Sequence, residues 1–136
     1  MAFTYSRSIH FSETDAAGVV YFANVLTFCH EAYEASLVAS GINARSFFSG
    51  QEIAVPIVHA EVDFFKPMFC GDQITISLVP NLLKPSEFEI SYHLFNQLPH
   101  YAIAKALTRH VCISPETRSR QELFPVLLHW LNGTKS

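Results

Sequence analysis

Cysteine is scarce in this sequence and badly placed for a framework. Only Cys29, Cys70 and Cys112 occur, an odd set at distant positions with no C-x-x-C pair. That argues against a disulfide scaffold and against a structural zinc site, and a reducing cytoplasm is the expected setting. No run approaches the roughly 18 uncharged apolar residues that would span a bilayer. The opening MAFTYSRSIHFSETD has neither an apolar stretch nor a cleavage signature, so no membrane partner and no processing are expected. Basic residues are too few for a broad nucleic-acid surface: nine Lys and Arg face twelve Asp and Glu, a formal charge of −3. There is no G-x-S-x-G nucleophile elbow, no Walker loop and no G-x-G-x-x-G dinucleotide fingerprint. Repeats, low-complexity tracts and linkers are missing too, so residues 1–136 read as one domain.

What is abundant is apolar surface. Hydrophobic residues make up 49% of the chain and charged residues 15%, with twelve Phe and five Tyr. A lone subunit would struggle to hide that surface, so self-association or an aromatic-lined pocket is expected.

Strand patterns are clear. Phe3, Tyr5, Arg7, Ile9 and Phe11 alternate with Thr4, Ser6, Ser8 and His10, a period of two. The same alternation runs through Val58–Phe64, Gln73–Leu78 and Glu87–Leu94. A last strand, from Tyr101 to Ser114, carries Ala102, Ala104 and Ala106 on one face, which lets a helix approach closely. Short links at Pro67–Asp72, Pro80–Ser86 and Gln97–His100 suit antiparallel hairpins. One long helix is expected from Asn24, a candidate cap, to Ser40. Gly41 then stands where a left-handed residue is wanted, and Ile42 is placed to touch Leu37. A short helix is expected over Pro125–Leu131. The order is α+β: a long central helix wrapped by a curved five-stranded antiparallel sheet.

The densest chemical signal lies between the first strand and the helix. Asp15-Ala-Ala-Gly18-Val-Val-Tyr21-Phe22-Ala-Asn24 joins a carboxylate, a chain-turning glycine and a hydrophobic anchor at a helix start. Unpaired backbone N–H groups at such a start can polarise a carbonyl oxygen while Asp15 faces the carbonyl carbon or a nearby water. The same residues also make an ordinary turn.

This run resembles the signature of the 4-hydroxybenzoyl-CoA thioesterase family, whose fold is the hotdog. Phe65-Lys66-Pro67 with Gly71-Asp72, Thr108–Ile113 and Leu123-Phe124-Pro125 extend the resemblance over nearly the whole chain. His30-Glu31-Ala32-Tyr33-Glu34 is similar to the branch that cleaves 1,4-dihydroxy-2-naphthoyl-CoA in phylloquinone synthesis. The resemblance implies acyl-CoA thioester hydrolysis with Asp15 as the catalytic carboxylate. It also implies that the N–H near Phe22 holds the thioester oxygen, that Gly18 and Tyr21 shape the same site, and that two subunits share it. A homotetramer built from dimers is the expected assembly. Coenzyme A would enter as part of the substrate, with no separate cofactor and no metal. Other aromatic or short-chain thioesters, acyl carrier protein in place of coenzyme A, and a non-catalytic acyl-CoA binder are the alternatives.

Sparse machinery suits this chemistry. A thiolate, with a thiol pKa near ~8.5, departs without a proton donor, so one carboxylate and an oxyanion site can suffice. Other residues carry open readings. His30-Glu31-x-x-Glu34 lacks the second histidine of the zinc-protease pattern. Glu31 and Glu34 can orient a substrate or their neighbours, or be satisfied polar positions or subunit contacts. His59 can reach a pocket or pair with Glu61 across a subunit boundary. Phe47, Phe48 and Phe64 can line an acyl pocket or fill the core. Arg118, Arg120 and Lys66 are candidates for the phosphates of coenzyme A, or plain solvated surface.

Overall fold

The computed structural model describes residues 2–134. Strand β1 (Phe3–Ser8) leads through a single 3-10 turn and a loop into helix α1 (Asn24–Ala39). A one-turn helix α2 (Ala44–Phe47) follows, then β2 (Ile57–Phe64), β3 (Gln73–Lys84), β4 (Glu87–Asn96), β5 (Tyr101–Val111) and α3 (Pro125–Thr134). The five strands form one antiparallel sheet in the order β1-β3-β4-β5-β2. The period of two becomes a buried inner face: Ile74, Ile76 and Leu78 of β3 and Ile90, Tyr92 and Leu94 of β4 are all buried. Against that face α1 lays Val25, Phe28, Cys29, Ala32, Tyr33, Ser36 and Leu37. This is the hotdog arrangement that the resemblance implies. No described helix is long and apolar enough to cross a membrane.

Helix α1 ends as its sequence predicts. The Ile42 N–H bonds to the Leu37 carbonyl at 3.0 Å and the Gly41 N–H to the Val38 carbonyl at 3.0 Å. These are the paired bonds that close a helix through a left-handed residue, and Gly41 has φ +94°. Gly41→Ala is therefore expected to cost about 1 kcal/mol in urea unfolding, the cost of a Cβ in left-handed backbone. No atom lies within 4 Å of the position that Cβ would take, so strain and not collision sets the cost.

Several expectations are corrected. Asn24 does not cap α1: Ala23 stands at the cap, and Asn24 is the first helical residue. Its side-chain amide instead donates to the Glu13 carbonyl at 2.9 Å, tying the first turn of α1 back to the 3-10 turn. β3 does not stop before Pro80 but runs to Lys84. Beyond Leu78 it has no β1 partner, so Pro80 occupies an edge-like position that tolerates a missing N–H. β5 ends at Val111, with Ile113 left in isolated bridges to Ala54 and Arg120. Ala104 and Ala106 face the core as expected, but Ala102 is exposed and Ile103 buried. The pairing shifts there, with Leu94 opposite Ala104 and Phe95 opposite Ala102, so Ile103 is the extra residue and the alternation reverses. α3 continues past Leu131 because Trp130, Leu131 and Thr134 are buried, which outweighs the helix penalty of Gly133.

Candidate active site

The loop from Thr14 to Ala23 is a compact turn closed by its own main-chain bonds. Gly18 N–H donates to the Asp15 carbonyl at 3.0 Å and Asp15 N–H to the Val19 carbonyl at 2.9 Å. Gly18 has φ +78° with open space around it, so the backbone conformation is what requires glycine. Asp15 Oδ1 accepts the Ala17 N–H at 2.8 Å, an Asx turn that orients the carboxylate. The side chain is exposed and its other oxygen has no partner among the described residues.

Three bonds then fix the helix entry. Tyr21 N–H donates to the Glu13 carbonyl at 3.1 Å, Asn24 N–H to Tyr21 at 2.9 Å and Val25 N–H to Phe22 at 3.2 Å. Among the described residues, the N–H groups of Phe22 and Ala23 receive no backbone partner. They are the orphan donors that a helix start exposes. The Tyr21 and Phe22 rings, 4.9 Å apart, stand at the surface, and Phe22 is 62% exposed. Beside them lies a groove of about 340 Å³ lined by Val20, Phe22, Val25, Phe64, Lys66 and Met68. Phe22, Phe64 and Lys66 thus meet at one groove, while Asp15, Gly18 and Tyr21 belong to the loop that supplies its Val20 and Phe22. Lys66 Nζ lies 5.5 Å from the centre of the Tyr101 ring.

Other candidates fall elsewhere in the single chain. His59 pairs through Nε2 with Glu61 Oε1 at 3.3 Å within its own chain and not across a subunit boundary, on the outer face of the sheet, away from the groove. Arg120 pairs with Glu87 at 3.5 Å. Arg118, with φ +64°, borders a separate pocket of about 250 Å³ lined by Phe47 and Phe48. His30 Nδ1 faces Glu34 Oε1 at 3.5 Å. Glu31 is engaged by Tyr5 Oη and by Arg7 Nη1, each at 3.2 Å.

That last contact belongs to a cluster that pattern reading overlooked. The Arg7 side chain is only 8% exposed. It bonds to the carboxylates of Glu13 and Glu31 and lies 4.0 Å over the Phe28 ring. Glu13 Oε1 also accepts the His10 N–H at 2.8 Å. Burial pushes the Glu13 carboxyl up, but the bonds from Arg7 and His10 outweigh it and hold the group below the usual carboxylate range. The signal was present in the sequence: Arg7 sits on the apolar row of the first strand, where a charge needs a partner. A second overlooked group is His110. Its Nε2 meets Thr108 Oγ1 at 2.8 Å, and Thr108 in turn meets Tyr92 Oη at 3.1 Å.

Known proteins share both the sequence and the shape. The profile of the thioesterase-like superfamily matches residues 9–131. A 1,4-dihydroxy-2-naphthoyl-CoA hydrolase of Trichodesmium erythraeum is 57% identical over 96% of this chain and 96% of its own length. One of Nostoc punctiforme is 54% identical over 99% of this chain and 90% of its own length. The crystal structure of a 1,4-dihydroxy-2-naphthoyl-CoA thioesterase from Synechocystis superposes with a TM-score of 0.92 at 34% identity, covering 97% of this chain and 96% of that one. With a carboxylate, a glycine turn and free helix-start donors in one loop, and with these relatives, the chain belongs to the thioesterase-like superfamily.

Proposed function

We propose that this protein hydrolyses 1,4-dihydroxy-2-naphthoyl-CoA to 1,4-dihydroxy-2-naphthoate and coenzyme A, a step of phylloquinone synthesis. The observation that carries the reading is the Asp15–Ala23 loop, which presents from one short segment a carboxylate oxygen and N–H groups that have no partner among the described residues. The hydrolases of that name, more than half identical over nearly the whole chain, supply the acyl group. In the reaction the Phe22 N–H takes up charge developing on the thioester oxygen. The Asp15 carboxylate either draws a proton from the attacking water, or attacks the carbonyl carbon itself to form a mixed anhydride that a water then hydrolyses to free the acid and restore the carboxylate. The carbon–sulfur bond breaks and coenzyme A leaves as thiolate. The apolar groove beside Phe22 suits a flat aromatic acyl group, and Lys66 at its margin suits a phosphate.

The site is completed by a second subunit in this reading. β2 has β5 on one side and no described strand on the other, and Ile57, Val58 and Phe64 stand exposed along it. An apolar edge of that kind invites pairing with its own copy. Two such dimers make the homotetramer, and sedimentation equilibrium reads the assembly directly. Free thiols at Cys29, Cys70 and Cys112 accord with a reducing cytoplasm.

Selectivity tests the acyl group. Thiol release is expected to favour the dihydroxynaphthoyl thioester over short aliphatic ones by at least about 100-fold in kcat/KM, since each buried ring carbon adds binding energy. Equal rates on aliphatic thioesters would keep the reaction class and remove the quinone assignment.

A further inference from the structure

We propose that Arg7 and Glu13 are positioning residues that hold the Asp15 carboxylate and the Phe22 N–H in a fixed mutual register. The inference builds on the thioesterase reading but concerns residues that reading does not use. Glu13 is tied on both ends. Its side chain accepts from Arg7 on β1 and from the His10 N–H, and its main-chain carbonyl accepts from Tyr21 N–H at 3.1 Å and from Asn24 Nδ2 at 2.9 Å. Asp15 follows two residues later, and Phe22 lies between the two residues that the carbonyl grips. Both reacting groups therefore hang from one residue.

Arg7 anchors that residue to the body of the protein. Its planar fork reaches Glu13 and Glu31 at once, linking β1, the 3-10 turn and the middle of α1, while the ring of Phe28 supports the guanidinium. The loop has little else to hold it. From Asp15 to Ala23 only Val20 is buried, and among the described residues its N–H bond to the Met68 carbonyl at 2.9 Å is the one hydrogen bond to the β2–β3 connection. The sheet, by contrast, does not depend on Arg7. β1 is zipped to β3 from Phe3 to Ser8, and Ile9 and Phe28 pack into the core. Loss of the Arg7–Glu13 pair should loosen the loop and leave the fold standing.

The test uses Glu13→Gln, Arg7→Gln and Arg7→Lys in the full chain, with Lys105→Met on the outer sheet face as control. Amide hydrogen exchange at Tyr21 is expected to quicken about tenfold in the two Gln variants while exchange in β3 and β4 is unchanged. With the best acyl-CoA substrate, kcat should fall about 10- to 100-fold with KM within about twofold, the pattern of misplaced reacting groups. Arg7→Lys, which keeps the charge but not the fork, should recover part of the kcat lost in Arg7→Gln. Unchanged exchange in the loop, exchange quickened equally across the sheet, or a raised KM with kcat intact would each overturn the proposal. If the wild-type chain cleaves no acyl-CoA, the thioesterase reading falls. The exchange result would still decide whether this pair anchors the loop.

Discussion

Asp15→Asn is expected to lower kcat for thioester hydrolysis by about 1,000-fold, within the range carried by a single positioned acid–base or nucleophilic group. The substitution is nearly isosteric. An Asn Oδ1 can still accept the Ala17 N–H that Asp15 accepts at 2.8 Å, and the side chain is exposed, so the loop and the fold should persist. What disappears is the negative charge on the free oxygen, which alone can attack a carbonyl or take a proton from water. Substrate affinity should change little, because the groove residues and the Phe22 N–H are untouched. Measured kcat and KM, with circular dichroism to confirm folding, check this. A variant that keeps a third or more of wild-type kcat would remove Asp15 from the chemistry.

The second large effect concerns stability and acid. His110 is 1% exposed, stacked on Phe88 with ring centres 4.7 Å apart, and its Nδ1 has no partner among the described residues. Burial, with a smaller contribution from the charge of His30, pushes its pKa down from 6.5 to about 3. The unfolded chain therefore binds a proton at this residue well before the folded protein does. Stability conferred by the neutral ring is complete above about pH 6.5 and drains away as pH falls toward about 3. Between pH 7 and pH 4.5 the loss from this one residue is on the order of a few kcal/mol. Glu13, held below the usual carboxylate range, adds a further loss in the same direction at lower pH. Urea unfolding at both pH values should show the difference. His110→Phe or His110→Asn, less stable at neutral pH, should lose most of the slope. An unchanged slope in both variants would mean that His110 titrates normally in the folded protein.

Local patterns carried much of the architecture. Alternation in Gln73–Leu78 and Glu87–Leu94 marks two of the three inner strands, because one face of each is buried and the other is not. Gly41 and Ile42 mark the end of α1, because that closure is built from neighbouring residues only. The turn from Asp15 to Gly18 was legible for the same reason. What escaped was decided by partners far along the chain. Asn24 looks like a cap until Glu13 offers its carbonyl. Ile103 becomes an extra residue only when β5 meets β4. Arg7 is readable as a charge on an apolar row, but Glu31, 24 residues away, is not readable as its partner. His59 shows the converse: an alternating strand places it on one face or the other, and only the assembled sheet shows that the face is the outer one.

The most direct test of the account is a time course of free thiol released from 1,4-dihydroxy-2-naphthoyl-CoA by the wild-type chain at neutral pH, with the acid product quantified alongside. Repeated turnover is expected, with one thiol and one 1,4-dihydroxy-2-naphthoate formed per thioester consumed. Tight binding of the thioester without thiol release would contradict it and would make the loop at Asp15 a binding site with no hydrolytic role.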